Sequence, residues 1–187
     1  MAMLIETKTT CTYDDYAALP EGAPYELIHG NLVMTPSPTP RHQIIESELV
    51  FRLQVHSREH QAGRVIVSPI DVFFSDSNTY QPDIIFIARD RLNIIGEKRI
   101  EGAPDLVVEV LSPSNAYYDL MPKRDVYESS GVKEYWIVDP MTETIEVFAN
   151  TKSGFTLLAK ARNAGSVASK VLDGFSVDLQ DVFGSTV

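Results

Sequence analysis

The spacing of apolar and polar positions changes repeatedly along the chain. Thr12-Tyr-Asp-Asp15 reads as a helix N-cap with an acid three residues on. Tyr16, Ala17, Ala18 and Leu19 continue that short helix until Pro20 and Gly22 stop it. Residues 25–28 and 31–34 (YELI and NLVM) flank His29-Gly30, which predicts two strands about a two-residue turn with Gly30 at positive φ. Pro36, Pro38 and Pro40 predict a stiff extended connector. From Arg41 the period becomes helical. Ile45, Leu49 and Leu53, supported by Ile44 and Phe51, make a stripe reaching about Gln61, with Gly63 as the stop.

Three runs rich in Val, Ile and Phe follow, at 65–74, 83–87 and 105–111. They are apolar on both faces, as in central strands covered by helices. Between the last two, residues 89–103 are charged and contain Gly96 and Gly102, which predicts a mobile loop. Asp119 is expected to cap a second helix ending near Gly131, with Pro122 tolerated in its first turn. Residues 134–138 read as a further strand, 144–149 and 155–160 as a hairpin about Gly154, and the tail as short strands or turns. The order predicts one α/β domain over 1–187. It has a mixed central sheet flanked by helices, an extra N-terminal hairpin and a β-rich C-terminus.

Composition narrows the function classes. The chain has 187 residues and a net charge of −10. No apolar run reaches a membrane span, and the start lacks a signal peptide's basic-then-apolar pattern. Cys11 is the single cysteine, so no internal disulfide or Cys-clustered zinc site can form, and a cytoplasmic setting is expected. Acidity argues against nucleic-acid binding until it is mapped. Residues 41–124 hold ten bases and twelve acids, whereas the segment before has one base and five acids and the segment after has five and nine. The middle of the chain is nearly balanced.

Three carboxylates interrupt apolar strands: Asp83, Asp105 and Glu109. In the third run Asp105, Val107, Glu109 and Leu111 share a face, because side chains alternate along a strand. Asp105 and Glu109 are roughly 13 Å apart at a strand's rise and cannot share an ion. A partner for Glu109 must come from a neighbouring strand, and Asp83 is the natural candidate.

These residues resemble the PD-(D/E)XK nuclease superfamily, with its restriction-endonuclease-like fold. More specifically, YELIHGNLVM (25–34), PSPTPRHQ (36–43), APDLVVEVLSPS (103–114), the run from Asp119 through KRDVYESSGVKEYWIVDP (123–140) and VLDGFSVDL (171–179) are similar to the Uma-type restriction-endonuclease family of bacteria. The resemblance implies a metal-dependent endonuclease, with DNA as substrate and a homodimer as the assembly. Asp83 and Glu109 would hold Mg²⁺, for which Mn²⁺ could substitute, and the ion would activate water and offset charge on the leaving oxygen. Lys123 would orient or deprotonate that water or stabilise charge, since the position two residues after the glutamate, where the superfamily has its lysine, is Leu111 here. Glu26 is the preferred third metal ligand and Glu48 its competitor. His42, Arg41 and Arg52 are candidates for substrate contact, with Arg58, Arg64 and the 89–99 loop as further DNA-facing cations.

Plainer readings stand beside these. Asp105 serves structure at the strand entry, and Asp71 is either paired or supports the site. His56 and His60 have the i, i+4 spacing of a helical metal pair but no third ligand, so they read as surface. Ser112, Ser114 and Ser129 lack a nearby histidine in sequence or a nucleophile elbow. Tyr135 and Trp136 are core or interface. The rival functions are a non-catalytic binding or assembly module keeping this fold, and a metal-dependent hydrolase of another phosphoester.

Overall fold

The computed structural model describes residues 10–112 and 116–184. The elements run α1 (Tyr13–Ala17), β1 (Tyr25–Ile28), β2 (Asn31–Met34), α2 (Pro40–Glu59), β3 (Gly63–Val67), β4 (Val72–Ser75), β5 (Asn78–Tyr80) and β6 (Ile84–Ala88). A 3₁₀ helix (Arg89–Ile94), β7 (Ile100–Glu101), β8 (Leu106–Val110), α3 (Ala116–Tyr118), a π-helical turn (Asp119–Lys123) and α4 (Arg124–Ser130) follow. The chain then runs through β9 (Glu134–Asp139), β10 (Thr144–Thr151), β11 (Gly154–Arg162), β12 (Ser166–Ala168), β13 (Ser176–Asp178) and α5 (Leu179–Phe183).

Six strands form the main sheet in the order β11-β10-β9-β8-β6-β3. All its pairs are antiparallel except β8–β9, which run parallel and are joined by the helical crossover α3–α4. A second sheet, β2-β1-β5-β4-β7, carries the N-terminal hairpin, whose turn residues His29 and Gly30 both take positive φ. Two β-rich layers with helices on the main sheet confirm the mixed α/β architecture.

The central strands are apolar on both faces because each face has its own core. Leu106, Val108 and Val110 of β8 pack with Ile45, Leu49 and Leu53 of α2. Val107, on the other face, packs with Tyr127, Tyr135 and Ile85. Glu109 shares the parity of Val107 and so enters this second core, at the end of the strand where the two sheets approach.

Several expectations are corrected. The run 65–74 is two strands in different sheets, since Pro69 has no N–H to continue a ladder. Gly63 does not stop α2. Gln61 supplies the positive φ, and Gly63 opens β3 where the Ile87 carbonyl lies 2.0 Å from where a Cβ would sit. The charged stretch after β6 is no bare loop but a 3₁₀ helix and a short strand. Arg91 binds Asp105 and the Ala103 carbonyl, and Arg99 stacks on Tyr13 and Phe73. Asp119 is not a cap: the helix begins before it, and both Asp119 and Lys123 are buried in the π-helical turn that contains Pro122.

Candidate active site

Continuing the β6–β8 register (Ile84 opposite Val108) outward by one residue sets Asp83 opposite Glu109. Directly opposed residues project from the same face with Cβ atoms about 5 Å apart. The Val110 amide donates to Asp83 Oδ2 at 2.7 Å, which fixes the aspartate on the strand end. Glu109 is 3% exposed. Its Oε1 accepts from the Tyr127 hydroxyl at 2.6 Å and from Lys123 Nζ at 3.3 Å, while Oε2 takes no hydrogen bond from the described residues.

Lys123 comes from the crossover and sits under three carboxylates. Its Nζ lies 3.0 Å from Glu26 Oε2, 3.1 Å from Asp119 Oδ1 and 3.3 Å from Glu109 Oε1. Glu26, from β1 of the other sheet, has its second oxygen on the Gln81 amide at 2.7 Å. Both Glu26 oxygens are therefore engaged within the protein. Gln81 is in turn fixed by Asp71, which also accepts from the Tyr16 hydroxyl. Asp71 is thus paired in support of the site rather than part of it.

On the far side of Asp83 the first turn of α2 presents His42, whose Nε2 is 3.3 Å from Asp83 Oδ1 and 3.9 Å from Glu46 Oε2. His42 Nδ1 is buried with no hydrogen-bond partner among the described residues. Glu26, His42, Asp83, Glu109, Asp119 and Lys123 all line one cleft of about 590 Å³, closed on one side by the connector from Thr35 to Thr39.

The electrostatics follow from this packing. Burial pushes the Glu109 carboxyl well above its usual range; Lys123 opposes the shift, and Asp119, Asp83 and Glu26 add to it. Asp119 is raised by burial too. Burial alone would lower Lys123, but the charges of Glu109, Glu26 and Asp119 outweigh it, so its ammonium is held well above the ordinary lysine range. Burial likewise disfavours a charged His42, yet the hydrogen bond and charge of Asp83, with Glu46, raise it overall.

A divalent ion is the group to test against these residues. Among the described residues no cluster of three or more His, Cys, Asp or Glu is arranged to hold a metal. Asp83 and Glu109 remain as two hard oxygen donors at the cleft. That suits Mg²⁺, which commonly binds through one or two carboxylates and keeps several waters for the substrate to replace.

The structure thus brings Asp83, Glu109, Lys123, Glu26 and His42 together, and it separates others from them. Arg41 is directed to Glu143 at 2.8 Å, and Arg52 to Asp181 at 3.1 Å and Glu48 at 3.7 Å; none of these lines the cleft. Asp105 is a structural ion-pair centre bound by Arg91, Lys133 and the Ala88 amide. His56 and His60 stack on each other at 4.1 Å away from the site. Tyr135 and Trp136 are core, at 0% and 1% exposure, and cannot form an interface. Ser129 caps back onto the Asp125 carbonyl, Ser112 lines the cleft, and Ser114 lies outside the described residues. Sequence reasoning missed Asp119 and Tyr127 as site residues. The i, i+4 spacing of Asp119 and Lys123 was the available signal for the first.

The Uma2 family model, whose description reads "Putative restriction endonuclease", matches residues 13–180. Among solved structures, the chain is similar to a "putative nuclease belonging to DUF820" from Anabaena variabilis ATCC 29413. The two share 22% identity and a TM-score of 0.76, over 92% of this chain and 97% of that one. That likeness bears on the fold. No curated protein matches the chain significantly.

Proposed function

The chain belongs to the Uma2 restriction-endonuclease family, matched from residue 13 to residue 180, and from that premise we propose that it is a metal-dependent endonuclease acting on DNA. The observation that carries the proposal is the convergence of Asp83, Glu109 and Lys123 on one cleft from three separate elements. Asp83 and Glu109 are the residues to hold Mg²⁺ or Mn²⁺. When bound, the ion supplies Lewis-acid activation of a phosphodiester and positive charge for the leaving oxygen.

The chain's own residues have distinct tasks. Lys123 stays protonated among its three acids, so it acts as a donor and a fixed positive charge rather than as a base. It orients Glu109 and stabilises negative charge building on the phosphate. Glu26 and Asp119 position that ammonium; with both oxygens engaged, Glu26 serves the lysine and not the metal. Tyr127 fixes one oxygen of Glu109, leaving the other toward the cleft. His42 is suited to hold Asp83 through its Nε2. The reading also includes a homodimer and a cytoplasmic setting, the latter in keeping with a single cysteine.

The test combines binding and cleavage. Calorimetric titration with Mg²⁺ and Mn²⁺ should give one site that Asp83→Ala abolishes. Supercoiled plasmid should be nicked with either ion by wild type, and not by Asp83→Ala or Glu109→Gln. A wild-type protein that binds neither ion and leaves DNA intact overturns the proposal. Cleavage of a simple phosphodiester but not of DNA would move the substrate to another phosphoester.

A further inference from the structure

Helix α2 buries Ile45, Leu49 and Leu53 against the main sheet, yet its opposite face is also apolar. Ile44, Phe51 and Val55 are 37%, 62% and 40% exposed. At 100° per residue, positions 44, 48, 51, 55 and 58 fall within one narrow arc, a 4-3-4-3 spacing that makes a continuous seam. The seam therefore reads Ile44, Glu48, Phe51, Val55, Arg58. Helix formation does not require large apolar side chains there, and a solvated face would not favour a phenylalanine at its middle.

The charges name the occupant. Glu48 and Arg58 stand at equal distances from the level of residue 53, and so do Phe51 and Val55. An antiparallel copy of the same helix, related by a two-fold axis at that level, meets position i with position 106 − i. Glu48 then faces Arg58 of the second copy, Arg58 faces its Glu48, and each Phe51 packs on a Val55. Arg58 has no ion pair among the described residues; Glu48 has one, a long contact to Arg52 at 3.7 Å, while Arg52 is held more closely by Asp181 at 3.1 Å, so Glu48 can exchange Arg52 for Arg58 of the second copy. A nucleic acid gives no reason for an acid, Glu48, within the seam, and an unrelated apolar partner gives no reason for the symmetric charges.

We propose that the outer face of α2 is a self-complementary homodimer surface, paired antiparallel through Phe51 and Val55 and registered by Glu48 and Arg58. This deepens the paired-copy part of the functional reading. It does not rest on the cleft's chemistry, so loss of nuclease activity leaves it standing.

Sedimentation velocity tests it over a range of roughly 1–100 μM protein, since exposed seams of this size give modest affinities. Wild type is expected to pass from monomer to dimer within that range. Phe51→Glu should remain monomeric throughout, with an unchanged circular dichroism spectrum because the position is on the surface. Arg58→Glu should weaken the dimer at least tenfold, and the double variant Glu48→Lys/Arg58→Glu should restore it. A wild-type monomer at the highest concentration, a dimer that survives Phe51→Glu, or a failure of the double variant to recover each overturns the proposal. If Phe51→Glu lowers DNA affinity while wild type stays monomeric, the face serves nucleic acid instead.

Discussion

Lys123 carries the charge balance of the cleft floor, because one buried ammonium faces three carboxylates. Removing it leaves those acids without their cation, and the expected loss is about 3–5 kcal/mol at neutral pH. The sign with pH is specific. Burial shifts the folded-state pKa of Glu109 and of Asp119 upward, and Lys123 is the charge that opposes both shifts, so in Lys123→Met their ionisation opposes folding more strongly as pH rises. Urea denaturation of Lys123→Met should show a larger deficit at pH 8 than at pH 5; an equal deficit counts against the caged-lysine account. Asp105 behaves in the opposite way. Its burial would raise its pKa, but the Ala88 amide, Lys133 and Arg91 bring it below the carboxylate reference of 3.8. Its contribution is complete above the unfolded value and fades as pH falls through the folded one. Asp105→Asn should therefore lower stability at pH 7 and flatten the acid limb of the stability profile.

Elements place these residues through backbone devices that composition does not advertise. In the π-helical turn Pro122 lacks the N–H that an α-helix would donate to Tyr118, and the wider turn sets Asp119 and Lys123 facing the same strands. Pro122→Ala restores that donor and favours the α register, which swings Lys123 away from Glu109. Stability should hold or rise slightly while plasmid cleavage falls at least about tenfold, as expected for a small misplacement of the group proposed to stabilise charge on the phosphate. At the other end of the sheet, Gly63→Ala forces a Cβ into the Ile87 carbonyl, and thermal denaturation should show a loss of at least about 2 kcal/mol as β3 separates from β6. These cases explain what was legible beforehand. Alternation along β8 was enough to expose Glu109, and strand adjacency was enough to nominate Asp83. The π register was hidden, because Asp119 before a helical stretch reads equally well as a cap. Arg41 looked free for substrate since its partner, Glu143, is 102 positions away. The split of 65–74 hung on Pro69, whose effect on sheet membership depends on what the second sheet offers to pair with.

For the molecule as a whole, a charge of −10 restricts how the proposed DNA substrate can be held. Metal-free binding near 0.15 M salt should be weak, with a Kd above about 10 μM by fluorescence anisotropy, and should tighten when Mg²⁺ or Ca²⁺ is added. Tight metal-free binding would contradict the cleft-centred reading. The proposed pairing through α2 has a geometric consequence. His42, beside each cleft, lies eleven residues from the level of the axis, so the two clefts are offset along the helix pair by roughly 33 Å at 1.5 Å per residue. One dimer cannot then make two closely staggered cuts, and nicked circles should accumulate before linear plasmid appears. The connector from Thr35 to Thr39 carries a further implication. Every one of its residues faces the cleft, and Pro36 and Pro38 hold alternate φ angles near −65°. That wall has little freedom to lose when a ligand arrives. Recognition at the cleft is accordingly closer to a fixed mould than to a folding loop, and its heat-capacity change should reflect surface buried on contact alone, with no added component from ordering of the chain.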